Sequence, residues 1–199
     1  MRTETIERTV YKLDELSERA QERAHEKYLE HADYPWSSEN KESLEEFERL
    51  FPVKITDWDY GYRNYISFHL SGLDYDEVEE FTGVRLATWL YNQFNWTLYS
   101  PKIYYLPGSN YSKKRKSRFQ RVEDEYIFTG YHADYPLVKP IIDFINKPDG
   151  RNLYDVMNDC LYGWIYSCRD DYESTLEFEY FKDAVEANEW EFDEDGNMA

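Results

Sequence analysis

The longest regular pattern of apolar positions runs from Leu153 to Cys168. Leu153, Val156, Met157, Cys160, Leu161, Trp164, Ile165 and Cys168 recur at alternating intervals of three and one, which is one face of an α-helix. Tyr154, Asp155, Asn158, Asp159, Ser167 and Arg169 form its mostly polar opposite side. The pattern predicts a long core helix near residues 152–172. At Asp170 the character changes, and the last thirty residues hold twelve carboxylates against one lysine.

Shorter patterns fill the rest. Ile6 and Val10 alternate with polar residues in 1–12 and predict a strand. Ser17 reads as the N-cap of a helix over 18–31, with Leu16, Ala20, Ala24 and Tyr28 on one face and Glu18 and Glu22 near the positive end of its dipole. A second helix fits 39–50. Leu44, Phe47, Leu50 and Phe51 are its buried side, and Glu39, Glu42, Glu45, Glu46 and Glu48 its outer face. Alternation over 53–59, a break at Gly61 and renewed alternation over 64–70 predict a β-hairpin.

After an acidic link at 72–81, Leu86, Trp89, Leu90 and Phe94 make a helical stripe within 84–96. Short strands are expected at 103–106 and 122–131, a short helix at 137–145, a helix from Ser174 to about Asn188, and an extended Trp190-Glu191-Phe192. Together these predict an α+β fold: a single domain over 1–199 in which an antiparallel sheet packs with several helices. A basic loop at 107–121 and an acidic helix and strand at 174–196 would be exposed.

Charge changes this picture. The formal net charge is −18, well beyond the roughly eight charges at which a small domain is comfortable. Such a field repels nucleic acid and anionic membrane and attracts basic protein surfaces. The loop Lys113–Arg121 places six basic residues in nine, and without them the chain stands at −24. Direct nucleic-acid binding by this one loop is opposed by the summed field. The expected role of the loop is to pair with acid, on this chain or on a partner.

Little else carries chemistry. No Gly-rich phosphate loop, nucleophile elbow or zinc spacing is present. His25 and His31 are six apart and miss the spacing that shares a helix face, while His69 and His132 stand alone. Glu191-x-Asp193-x-Asp195-Gly196 echoes half of a calcium loop but lacks the twelfth-position glutamate. No catalytic, cofactor or metal residues are assigned, and the expectation is a non-enzyme. Cys160 and Cys168 lie about 12 Å apart on one helix face, too far for a disulfide, and read as buried thiols of a cytoplasmic protein. No secretory signal and no apolar run near the ~20 residues of a membrane span is seen.

Three stretches carry a resemblance. Tyr11-Lys12-Leu13-Asp14-Glu15-Leu16-Ser17-Glu18-Arg19-Ala20 resembles the opening of a family of small acidic bacteriophage proteins, often labelled antitoxin-like or unassigned. Phe128-Thr129-Gly130-Tyr131-His132-Ala133-Asp134 is similar to its middle, and Glu186 to Gly196 to its ending. The family's Gly-rich central segment is replaced here by the tyrosine-rich stretch Asp59–Ser71. By analogy with phage proteins that mimic DNA, the resemblance implies an inhibitor of a host defence protein, of anti-CRISPR or anti-restriction type, acting in the bacterial host cytoplasm.

The sequence therefore predicts an acidic surface that imitates phosphates and binds a basic nucleic-acid-binding host protein, plausibly a nuclease complex. Its candidate partner-binding residues are Asp170, Asp171, Glu173, Glu177, Glu179, Asp183 and Glu186, with Trp190 as aromatic anchor. On a helix Glu179, Asp183 and Glu186 share one stripe. The alternative is an antitoxin or other interaction protein that binds mainly through exposed tyrosine and tryptophan. The identity of the partner and the oligomeric state stay open.

Overall fold

The computed structural model describes residues 8–72, 78, 80–98 and 128–199. The expected strands at 103–106 and 122–127, the basic loop, the first seven residues and most of the acidic link lie outside the described residues. The architecture is α+β. Helices α1 (Glu18–His31), α2 (Ser37–Leu50), α3 (Gly83–Leu98), α4 (Asp134–Asn146), α5 (Leu153–Thr175) and α6 (Phe178–Ala187) accompany strands β1 (Val53–Asp59) and β2 (Tyr65–Leu70). The chain forms two compact units, Met1–Pro35 with Asp170–Ala199, and Trp36–Arg169; the division falls within α5.

The larger unit is built on the predicted spine. All eight apolar residues from Leu153 to Cys168 are at most 2% exposed, joined in the core by Phe47, Leu86, Leu90, Leu137, Ile141 and Phe144. Burying a side chain of this size stabilises by about 1.5–3 kcal/mol. Trp164 is fully buried, so its indole N–H needs an acceptor, and it donates to the Asn40 carbonyl at 3.2 Å. Trp58 and Tyr60 meet its ring edge-on at 5.2 and 5.6 Å. Gly163 is required where α5 passes α4, because a Cβ there would lie 2.9 Å from the Pro136 carbonyl oxygen. That oxygen has no intrahelical donor, since residue 140 is proline.

The hairpin forms as expected, with β1 and β2 antiparallel from Val53 opposite Leu70 to Asp59 opposite Tyr65 and an irregularity between Ile55 and Asp57. Its turn is held by the Asp59 carboxylate, which accepts the amides of Gly61, Tyr62 and Arg63. The expected strand at 122–131 is not seen in its described part. Residues 128–130 instead turn around the buried Asp134, whose Oδ2 accepts the amides of Phe128, Thr129 and Gly130 at 2.8, 2.8 and 3.1 Å. A buried carboxylate needs such donors, and this need overrides the alternation in the sequence.

The smaller unit has a thinner core: Leu13, Leu16, Ala20, Ala24, Phe181, Val185 and Phe192, with Tyr11, Tyr28, Phe178 and Trp190 packed half-buried around it. Ser17 caps α1 as predicted, accepting the Ala20 amide at 3.3 Å. The expected N-terminal strand reduces, in its described part, to one bridge in which Tyr11 and Phe192 exchange both backbone hydrogen bonds, at 2.8 and 2.9 Å. Phe192 bridges Met198 on its other side, so the expected C-terminal strand is a pair of single bridges.

The expected helix from Ser174 also changes. The spine helix continues to Thr175 and α6 begins only at Phe178. Ser174, where the sequence predicts a helix to begin, and its neighbour Thr175 have hydroxyls that donate backwards, to the carbonyls of Asp171 and Tyr172, both at 2.7 Å. They close the end of one helix instead of opening the next, and Glu177, extended at ψ 150°, starts α6.

Candidate interaction surface

Charge is divided unevenly between the two units. The smaller holds 21 acidic and 7 basic residues, net −14, and the larger 20 and 16, net −4. The smaller unit is therefore where an acidic surface is sought.

Helix α6 shows how such a surface is positioned. Phe181 and Val185 are buried and Phe178 is half-buried, which turns the rest of the helix to solvent. Glu179, Asp183 and Glu186 are exposed along one stripe at four- and three-residue spacing, as the sequence predicts. Over seven residues they rise about 10.5 Å, or one charge per ~5 Å, against ~3.4 Å along one DNA strand. One stripe thus reaches about two thirds of the linear density of a single strand. Glu179 is paired with Lys182 at 3.1 Å, an exposed pair worth about 0.3–0.5 kcal/mol at most. Among the described residues nothing pairs with the carboxylates of Asp183 and Glu186.

The remaining predicted residues fall around this helix. Asp170, Asp171 and Glu173 are exposed on the last turns of α5, and Glu177 is exposed at the N-cap of α6. Asp171 accepts a hydrogen bond from the Tyr34 hydroxyl, and the Tyr34 ring meets Tyr172 edge-on at 5.6 Å. Trp190 is half-buried, 6.2 Å from Tyr28, and serves the small core as well as any surface.

The turn between α5 and α6 is tied to α1 through His25. Its Nε2 lies 3.0 Å from the Leu176 carbonyl and so must carry the proton it donates. Its ring packs on Phe178 and Phe181 at 5.4 and 5.3 Å. The role of His25 is thus structural.

A second row went unrecognised in the sequence. Glu18, Glu22, Glu26 and Glu30 lie four residues apart on α1 and are all exposed, spanning about 18 Å. The signal for it is the strict four-residue spacing of the four glutamates, of which only Glu18 and Glu22 lie near the helix N-terminus. Beside it runs the basic row Arg19, Arg23 and Lys27. Two of these are engaged by the C-terminal segment: Arg23 pairs with Asp195 at 3.1 Å, and Lys27 donates to Asn197. That segment is seated by Gly196 at φ +81°, where a Cβ would stand 2.2 Å from the Ala20 carbonyl oxygen. Asp193 accepts the Asn197 side chain at 2.7 Å and the amides of Asn197 and Asp195, which hold its carboxyl below the usual range. The half calcium loop is thus a self-capped turn.

The acidic face of α2, in the larger unit, behaves differently. Glu46 binds Arg49, and Lys41 pairs with Glu45 at 3.4 Å. Glu48 accepts from Lys54 and from the Ile55 amide. Burial pushes the Glu48 carboxyl up, but these donors outweigh it and leave the group below its usual value. An open groove of about 370 Å³ between α2 and β1 is lined by both signs of charge, Lys41, Glu45, Glu48 and Lys54 among them.

Among the described residues no group of three histidines, cysteines or carboxylates is placed to hold a metal ion. No described helix is long and apolar enough to cross a membrane. Cys160 and Cys168 are buried free thiols, and burial, helped by Asp159, pushes Cys160 well above its ordinary value. Comparison of this chain with protein-family models, with curated proteins and with solved structures finds no match.

Proposed function

We propose that this protein is a non-enzymatic, stoichiometric inhibitor that occupies the nucleic-acid-binding surface of a basic host protein, in the manner of phage anti-CRISPR or anti-restriction proteins. The observation that carries this reading is the concentration of 21 of 41 acidic residues in the smaller unit, with exposed rows on two of its helices. A phosphate mimic needs carboxylates held on rigid elements so that the basic groove pays little ordering cost. Helices α1, α5 and α6 supply such elements, and the partner-binding residues proposed are Asp170, Asp171, Glu173, Glu177, Glu179, Asp183 and Glu186. The host cytoplasm is the compartment where such a target is met.

The test is capture of partners from a bacterial lysate at low and high salt, with DNA as competitor. A basic nuclease complex retained at low salt, released about tenfold or more at higher salt and displaced by DNA is the expected result. Glu179→Lys, Asp183→Lys and Glu186→Lys combined should abolish capture while the circular dichroism spectrum is unchanged. Unchanged potency in that variant would sink the reading.

A second reading, binding mainly through aromatic surface, is favoured by Tyr62, which stands 86% exposed at the hairpin turn. Capture that survives high salt and is lost in Tyr62→Ala would select it.

A further inference from the structure

One wall of the groove between α2 and β1 is the edge of a strand. The groove holds about 370 Å³ and is lined by Leu44, Glu45 and Glu48 of the helix and by β1 from Lys54 to Trp58. Among the described residues the sheet has two strands, so β1 pairs with β2 along one side and meets the groove along the other. Its Ile55 amide donates to Glu48 at 2.8 Å and its Trp58 amide to the Asp57 side chain at 3.0 Å. Both carboxylates line the groove. They accept where the carbonyl oxygens of a further strand would accept, and charge in that position guards an edge against indiscriminate pairing.

The strand offers two different faces to a chain laid alongside it. The irregularity between Ile55 and Asp57 leaves Ile55 and Trp58 half-buried, while Lys54, Thr56 and Asp57 are exposed. A neighbouring strand would therefore meet apolar side chains on one face and polar or charged ones on the other. The charged face is short of cations. Lys41 pairs with Glu45 at 3.4 Å and Lys54 with Glu48, whereas Asp57 is held by neutral donors, the Tyr65 hydroxyl and the Trp58 amide. A strand that takes over the two amides leaves Glu48 and Asp57 in need of other donors, and the net charge of −18 draws a cationic segment to supply them. From Lys54 to Trp58 the edge is about 13 Å long, room for about four residues of extended chain.

We infer that the groove between α2 and β1 is a docking site for an extended segment of a basic protein partner, in which apolar and basic residues alternate. The segment adds to the edge of β1 as a further strand. Its carbonyls accept from Ile55 and Trp58, its apolar side chains cover those residues, and its basic ones meet Glu48 and Asp57. The inference concerns the larger unit and does not rest on the proposed function.

The full-length protein, isotope-labelled, is titrated by NMR at low salt with a nine-residue peptide of alternating valine and lysine. Two further peptides carry N-methyl groups at every valine or at every lysine. A strand bonds to one neighbour through the amides of alternate residues only. One methylated peptide is therefore expected to bind about tenfold or more weakly, and the other about as well as the parent. The Ile55 and Trp58 amide signals should shift as the parent binds. Equal affinities of the two methylated peptides, shifts confined to other elements, or no binding of the parent overturns the inference. Shifts at Ile55 and Trp58 on concentrating the protein without peptide assign the edge to a second copy of this chain and overturn it as well.

Discussion

The two units of this chain carry similar numbers of carboxylates, 21 and 20, and use them in opposite ways. In the larger unit the acid of α2 is matched nearby, Glu45 by Lys41, Glu46 by Arg49 and Glu48 by Lys54. In the smaller unit the basic residues are fewer, and the C-terminal segment draws Arg23 and Lys27 away from the acidic rows. Acid that is locally matched contributes to a fold, whereas acid left unmatched raises a field that acts at a distance. Net charge by itself does not separate these cases; the placement of the cations does.

The cores differ in the same direction. The larger unit encloses Trp164, Phe47 and Phe144 completely, while the apolar core of the smaller is, among the described residues, a cluster of seven, two of them alanines. Trp164→Ala should therefore have the largest effect on stability. It opens a cavity and removes the donor to the Asn40 carbonyl, at a cost of about 3–5 kcal/mol. Chemical denaturation measures it, and a cost near 1 kcal/mol would mean that the spine is not the main core.

In the smaller unit the most sensitive position is expected to be a backbone contact. Gly196→Ala puts a side chain at positive φ and against the Ala20 carbonyl, costing about 2–4 kcal/mol. Hydrogen exchange should show lost protection at the Tyr11–Phe192 bridge and in α1. Protection unchanged there would break the view that the C-terminal segment is part of this core.

The smallest effect expected is electrostatic. Replacing Glu26 and Glu30 by glutamine removes two like-charge pairs at four-residue spacing, with Glu22 and with each other, and takes acid away from the negative end of the α1 dipole, so it should stabilise by about 0.4–1 kcal/mol in total. The gain should shrink as salt is added, because salt already screens exposed charges. An unchanged or lower melting temperature at low salt would show that the row is not self-repelling.

Much of the fold was legible from pattern alone. The spine of α5, the Ser17 cap of α1, the α2 and α3 stripes and the hairpin all rest on local periodicity or local hydrogen bonding. Misreadings arose where a local signal has two uses. Ser174 and Thr175 carry hydroxyls that serve a helix start or a helix end equally well, and only the closing turn of α5 decides between them. The alternation before Tyr131 gave way, in its described part, to the donors that buried Asp134 requires. The candidate residues of α6 were found because their stripe is short-range. The α1 row was missed because its significance depends on where the neighbouring Arg23 and Lys27 are engaged, which is set by the distant C-terminal segment.

By itself, then, the sequence determined the α+β class, the burial of the spine and its two thiols, and the excess of acid after Asp170. Each follows from residue type and spacing within a few turns of chain. Tertiary structure alone decided which acid is matched and which is open, since ion pairs such as Arg23 with Asp195 join residues 172 positions apart. It also decided that Gly196 must be glycine, because the atom that excludes a side chain there belongs to α1. Long-range proximity sets both, and no local pattern encodes it.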